Sequence, residues 1–397
     1  MKRIVVTGYG IKAPGIEDRQ RFKDVLDQGL CTLEVVSGIG PNETDLVCGI
    51  IHNEYKRING RNYKYYPRIA RMAIAAADEA VKMSGIELKE GLRVSVIMGT
   101  SVGGLSEIEQ YAVYSNNGQY DKFPLIGAGA GNPHSLSSSV AYHIGANGLV
   151  FTLSTGCTAG LDSIMMAKVL LESGQADVCI VGGSDAPIST GCIYSFAKLG
   201  ALSKDLDIHT AGSPFSMDKE GFVLSEGAAV LVLERETDAL ERDTAIYGSI
   251  DNIYSNNDGQ SIFASDLTGE TMSKALKMTV GDYLPTYINS QALGLQANDT
   301  VEYIAYTNNF EDHSIPITSI KGQIGHAFGA SGVMQTIASL ISIEYDFIPP
   351  TVKTTGYGFG DLPILQETKY CDVNQVVVTS HGYGGNNTCM LLSKYLQ

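Results

Sequence analysis

Residues 149–171 read LVFTLSTGCTAGLDSIMMAKVLL and restrict the fold more than any other stretch of the chain. Leu149 to Leu153 is an almost wholly apolar run, and Leu161 to Leu171 is apolar on most sides of a helix. Neither element has a polar face to show to water, so both belong inside a layered α/β core. Between them stands Ser154-Thr155-Gly156-Cys157. A strand that turns this sharply into a helix sets the Cys157 sulfur at the helix N-terminus. There the helix dipole and free backbone N–H groups favour a thiolate and donate to an oxyanion. The same pattern suits, equally well, a packed cysteine in a glycine-rich core turn.

The rest of the chain repeats this style. Strands are expected at 2–7, 93–98, 178–181 and 228–233, and a helix from Pro67 to Ser84 ended by Gly85. The second half follows with strands at 246–253, near 301–306, at 376–379 and at 388–392, and a helix at 332–343. A charge-dense junction at 235–250 separates two halves, 1–240 and 241–397. At 397 residues the chain exceeds what one small core covers. A net charge of −15 argues against nucleic acid as a partner. No apolar run has the length of a membrane span, and the start lacks the long apolar core of a signal peptide. The seven cysteines contain no CxxC pair, so neither a zinc site nor a disulfide framework is expected. The expectation is a reduced, cytoplasmic protein with no bound metal.

Five motifs, in order, carry a resemblance. They are Arg3-Ile4-Val5-Val6-Thr7-Gly8, the elbow at Cys157, and Ser213-Pro214-Phe215 with Glu220-Gly221-Phe222-Val223 and Glu226-Gly227-Ala228. Ser319-Ile320-Lys321-Gly322-Gln323-Ile324-Gly325-His326 with Gly329-Ala330-Ser331-Gly332 is the fourth, and Gly382-Tyr383-Gly384-Gly385-Asn386-Asn387 the fifth. Together they resemble the β-ketoacyl synthases, the thiolase-fold condensing enzymes of fatty-acid and polyketide synthesis. The resemblance covers nearly the whole chain. It implies two similar βαβαβαββ halves in a five-layered α-β-α-β-α fold, usually dimeric. It implies acyl transfer from a carrier-protein thioester onto Cys157, with Lys321 ordering the site and His326 binding a thioester carbonyl. The N–H groups of Cys157 and Tyr383 would form the oxyanion hole. No cofactor is implied beyond the phosphopantetheine that the acyl carrier protein brings with its substrate.

The chain departs from the family at several points. Family members have a second histidine in an Asn-Ala-His-Gly-Thr motif at a strand end. The matching strand here is 303–309, with Thr307 at the histidine's position, and the helix that usually lies between it and the lysine is largely lost. His313 and His381 are candidate substitutes. His381 stands where an aromatic residue is usual, Gln335 where a glutamate is usual, and Ser213 and Ser216 where an arginine and an aspartate are usual. Losing one of two hydrogen bonds to a developing enolate costs roughly 3–4 kcal/mol.

The departures leave two readings. One is a partner subunit of a ketosynthase heterodimer, similar to a chain length factor. The other is an acyltransferase or β-ketoacyl synthase that forms an acyl-Cys157 intermediate by itself, as a homodimer. Thiolase chemistry on coenzyme A is more distant, since the C-terminal loop lacks a second cysteine. Finally, Lys56, Arg57, Arg61, Lys64, Arg68 and Arg71 place six cations in sixteen residues with no acid between them. On so acidic a chain this patch is expected to dock the acidic carrier protein.

Overall fold

The computed structural model of the chain describes residues 2–87, 91–262, 265–310 and 314–396. Ten strands share one hydrogen-bonded sheet. In chain order they are β1 (Ile4–Lys12), β2 (Val94–Gly99), β3 (Val150–Leu153), β4 (Val178–Asp185) and β5 (Gly227–Arg235), then β6 (Gly248–Asn257), β7 (Tyr287–Asn289), β8 (Ile317–Thr318), β9 (Gln375–Gly382) and β10 (Asn386–Ser393). From the middle outwards, the first half runs β1-β5-β4-β2-β3 and the second β6-β10-β9-β7-β8. Both halves pair antiparallel, antiparallel, parallel, parallel along these orders. The chain has thus used one five-stranded plan twice, and β1 joins β6 at the seam with Ile4 opposite Ile250.

The helices divide between three layers. α1 (Arg68–Ser84) packs on β1 and β5, and α2 (Ser135–Ile144) packs on α1, β2 and β3. α3 (Ala159–Glu172) and α6 (Ser331–Tyr345) pack on each other and on strands of both halves. α4 (Glu270–Val280) and α5 (Gln296–Phe310) cover the outer face of the second half. The result is five layers, α-β-α-β-α. The central pair explains the apolar character of 161–171: Leu161 and Ile164 of α3 share one core cluster with Val333 and Ile337 of α6. Glycine makes the crossing close. A Cβ on Gly160 would sit 2.4 Å from the Gly329 carbonyl oxygen, and one on Gly332 would sit 2.6 Å from Leu161.

One expected element changes type. The stretch 301–306 is not a strand but the middle of α5. Its β-branched and aromatic residues suggest a strand, yet Asn298, Val301, Glu302 and Ala305 are buried at i, i+3, i+4 and i+7, the spacing of one helix face. No helix has been lost before Lys321; α5 is that helix.

Candidate active site

Gly156–Thr158 forms a single helical turn that leads straight into α3 and carries Cys157. Gly156 has φ +71°, a left-handed turn that brings the strand end round into the helix. Cys157 is 8% exposed. Two glycines keep its surroundings open. A Cβ on Gly382 would lie 3.2 Å from the sulfur, and one on Gly156 would press on the Tyr383 carbonyl oxygen at 2.9 Å. Ser380 Oγ donates to the Cys157 carbonyl at 3.0 Å and fixes the elbow to β9.

His326 Nε2 lies 3.2 Å from Cys157 Sγ. The ring is held from both sides. Its Nδ1 is 3.1 Å from Ser331 Oγ, which also accepts the Ala327 N–H, and it packs between the Phe222 and Phe328 rings. Burial pushes the Cys157 thiol up to about 12, against the lowering effect of the Tyr383 and Cys157 amides, which approach the sulfur. Burial likewise holds His326 well below the usual imidazole range, helped by the nearby Lys321 and His381. The resting pair is therefore a neutral thiol beside a neutral imidazole, not the thiolate that the helix N-terminus alone predicts: here desolvation outweighs the dipole. The thiol donates to Nε2, and Nδ1–H faces Ser331.

Lys321 is buried and donates to Gln335 Oε1 at 2.8 Å. Burial lowers it to about 7, while Glu302, Cys157 and Asp299 act to raise it. The Gln335 amide also donates to the carbonyls of Asn289, Ser290 and Thr379. Lys321 and Gln335 thus tie α6 to the ends of β7 and β9, behind the cysteine. Glu302 of α5 braces the same region. Its carboxylate accepts the N–H of Gln291 at 3.1 Å, that of Ala292 at 2.8 Å and the Thr379 hydroxyl at 2.5 Å.

Both halves of the sequence match family models described as the β-ketoacyl synthase N-terminal domain, over residues 1–239, and C-terminal domain, over residues 247–355. The chain belongs to the β-ketoacyl synthase family. It is 32% identical to the putative polyketide beta-ketoacyl synthase 1 of Streptomyces cyaneus, over 99% of this chain and 98% of that protein. It is 29% identical to the 3-oxoacyl-[acyl-carrier-protein] synthase 2 of Staphylococcus aureus, over 99% of each. Among solved structures, the ishigamide ketosynthase/chain length factor superposes with a TM-score of 0.90 at 25% identity, covering 100% of both chains.

A cavity of about 220 Å³ opens beside the sulfur of this β-ketoacyl synthase family member. Phe196, Phe222, Leu293 and Phe328 give it an apolar wall, and Gln291, Asn298, His326 and His381 are its polar lining. Thr307 is not there. It lies on α5 with its hydroxyl donating to the Tyr303 carbonyl at 2.9 Å. It lines a separate cavity of about 830 Å³, together with Tyr303, Tyr306 and Asp361. The strand end that faces Cys157 is β7, which runs on as Asn289-Ser290-Gln291, so Gln291 holds the place assigned to Thr307. The parallel of Asn-Ser-Gln with the family's Asn-Ala-His is the signal that points to it; reading 303–309 as the strand hides it. Asn298, Asp299 and Glu302 escape the sequence reading for the same reason. His313 lies outside the described residues.

The basic patch is only partly a surface. Arg68 Nη2 donates to Glu226 Oε2 at 2.7 Å, with both side chains largely buried. Arg71 donates to Glu54 Oε2 at 2.8 Å and is 8% exposed. Arg68 is spent on a buried ion pair, and Arg71 is itself buried beneath the half-exposed Glu54, so neither presents a free cation to a carrier protein as expected. Lys56, Arg57, Arg61 and Lys64 are exposed on a small hairpin, where Arg57 pairs across from Asn62.

Proposed function

We propose that this chain is a ketosynthase-family subunit of a type II polyketide or fatty-acid assembly. It acts on acyl carrier protein thioesters as one member of a ketosynthase pair, in the manner of a chain length factor that has kept its cysteine. The observation that carries acyl transfer is the 3.2 Å contact between Cys157 Sγ and His326 Nε2. As the sulfur attacks the thioester carbonyl carbon, its proton passes to Nε2. The carbonyl oxygen becomes an oxyanion within reach of the Cys157 and Tyr383 N–H groups. The C–S bond to the pantetheine breaks, and the leaving thiolate takes the proton. Each donor aimed at such an oxyanion is worth about 3 kcal/mol.

Pairing is supported by the free edge of β3. The strand expected inside the core is instead an edge: Phe151 and the preceding Leu149 are each 38% exposed, and β3 is hydrogen-bonded on one side only. Solved structures of similar fold include a type II acyl carrier protein in complex with its ketosynthase and a ketosynthase in complex with its chain length factor. The exposed hairpin cations Lys56, Arg57, Arg61 and Lys64 are the docking surface for the acidic carrier. No helix among the described residues is long and apolar enough to cross a membrane, and a cytoplasmic location fits the free cysteines.

The intact Cys157–His326 pair favours a second reading, in which the chain is an acyltransferase or β-ketoacyl synthase in its own right. The two readings separate on purification. A chain that is stable and takes an acyl group on Cys157 as a homodimer supports the second. One that is stable only with a second ketosynthase-like chain supports the first. Absence of acyl-Cys157 in either preparation, read by intact mass after incubation with acyl carrier protein, defeats the acyl-transfer reading.

A further inference from the structure

Asp162 stands in the first turn of α3, just beyond Cys157, and is 6% exposed. Its partners are threonine hydroxyls. Thr155 Oγ1 donates to Oδ2 at 2.5 Å, Thr158 Oγ1 to the same oxygen at 2.7 Å, and Thr388 Oγ1 to Oδ1 at 2.6 Å. No lysine, arginine or histidine among the described residues pairs with it. Burying a carboxylate is costly even when it is hydrogen-bonded, and an apolar side chain packs a helix at less cost. A carboxylate kept here is explained by what its partners hold.

Thr155 and Thr158 flank the nucleophile, one on either side of Gly156-Cys157. Thr388 belongs to β10, in the other half of the fold. β9 and β10 form the hairpin whose loop carries Tyr383, and this hairpin grips the elbow at two further points. Ser380 Oγ holds the Cys157 carbonyl, and Asn386 Nδ2 donates to the Thr155 carbonyl at 3.0 Å. Ser380 lies directly opposite Thr388 in the β9–β10 register. The Cys157 N–H and the Tyr383 N–H thus sit on segments from different halves, and Asp162 bonds hydroxyls of both at once. Two amides that serve one oxyanion must keep their separation within about 0.5 Å.

We propose that Asp162 is a positioning residue for acyl transfer, which sets the Cys157 N–H and the Tyr383 N–H at the spacing of a single oxyanion. This rests on the acyl-transfer reading above. Asp162 does not line the cavity beside the sulfur. It acts through Thr155 and Thr158 on the elbow and through Thr388 on the hairpin. The consequence is selective. Acyl transfer builds an oxyanion and needs both amides. Alkylation of the same sulfur by iodoacetamide displaces iodide at a saturated carbon and builds none. Loss of Asp162 therefore separates the two reactions.

The test measures both reactions on Cys157 in the whole protein. Acyl loading from saturating acyl carrier protein is read by intact mass, and iodoacetamide alkylation at the same pH by peptide mapping. Asp162→Ala is expected to slow loading about 100-fold, with the half-saturating carrier concentration unchanged and alkylation within about twofold of the unmodified chain. Asp162→Asn keeps an acceptor for Thr155 and Thr158, while the Thr388 hydroxyl turns to accept its N–H; it is expected to recover about tenfold of that loss. Thr388→Val cuts only the tie to the hairpin and keeps the shape of the side chain, so it covers the case in which Asp162→Ala does not fold. It is expected to slow loading about tenfold, and the double variant to load no more slowly than Asp162→Ala alone. Loading at the unmodified rate in these variants overturns the inference. So does an equal loss of loading and alkylation, which marks a displaced sulfur rather than a misplaced amide. If the unmodified chain gains no acyl group, the acyl-transfer reading fails and this inference with it; if it gains one and the variants match it, only the role of Asp162 fails.

Discussion

The Cys157 sulfur and the His326 Nε2 stand 3.2 Å apart, and burial keeps both side chains neutral at rest. The nucleophile is thus not a stored thiolate. It is a thiol whose proton has an acceptor already in place, so the charge appears only as the substrate carbonyl arrives.

Alkylation of Cys157 by iodoacetamide should therefore rise steadily with pH, about tenfold per unit between pH 7 and 10, because only the thiolate reacts and the thiol is pushed up to about 12. Peptide mapping at several pH values reads this directly. A plateau near pH 7 would show a stored thiolate instead. His326→Ala should slow acyl loading of Cys157 by about 100-fold, since the proton acceptor is gone.

Lys321 offers a second pH signature. Burial lowers it from 10.5 to about 7 in the fold. Below pH 7 the folded and unfolded chains both hold the proton, and the fold bears the full cost of a buried ammonium. Between pH 7 and 10.5 the unfolded chain binds a proton that the folded chain does not, so this site makes stability rise with pH. The whole span corresponds to roughly 5 kcal/mol. Lys321→Met should abolish that rise. Denaturant unfolding of both proteins at pH 6, 8 and 10 should show their stability difference shrinking as pH increases; a constant difference would rule the effect out.

Much of this molecule is legible in its sequence, and the exceptions have physical causes. The elbow at Cys157, the motif from Lys321 to His326 and the loop at Tyr383 are short segments whose chemistry is local, so residue order alone places them. The expectation at Thr307 fails because 303–309 belongs to the helix α5. Its Tyr303, Ile304 and Tyr306 have strand propensity, but burial of Asn298, Val301, Glu302 and Ala305 along one helical face wins. Arg68 and Arg71 look like a charged surface because their partners, Glu226 and Glu54, lie outside the basic run. No pattern within that run reveals an ion pair closed across 158 residues.

That difference divides the basic patch by experiment. Arg68→Glu sets a buried negative charge against Glu226 and should cost about 3–5 kcal/mol of stability. Arg57→Glu and Arg61→Glu change exposed side chains and should stay within about 0.5 kcal/mol. Only the exposed pair should weaken carrier-protein binding without loss of melting temperature, and added salt should weaken that binding in the unmodified chain. Titration of carrier protein at two ionic strengths measures both effects. Carrier binding indifferent to salt and to the hairpin substitutions would remove the hairpin as the docking surface.

The proposed pairing has a natural place at the edge strand. β3 pairs with β2 on one side only, and its other side exposes backbone groups flanked by Leu149 and Phe151. On α2, packed beside β3, Tyr142 is 67% exposed. An apolar edge without a charge, proline or bulge to blunt it invites another strand to continue the sheet. The second half does not offer an equivalent: at its outer end β8 has two residues, both buried. Association should therefore run through β3 and leave β8 out. Phe151→Asp puts a charge on the apolar edge and should convert the dimer to monomer in light scattering, whether the partner is a second copy or a different ketosynthase chain. Because Phe151 is partly exposed within the single chain, the monomer should stay folded, with far-ultraviolet circular dichroism unchanged. A dimer that survives Phe151→Asp would place the contact elsewhere on the surface.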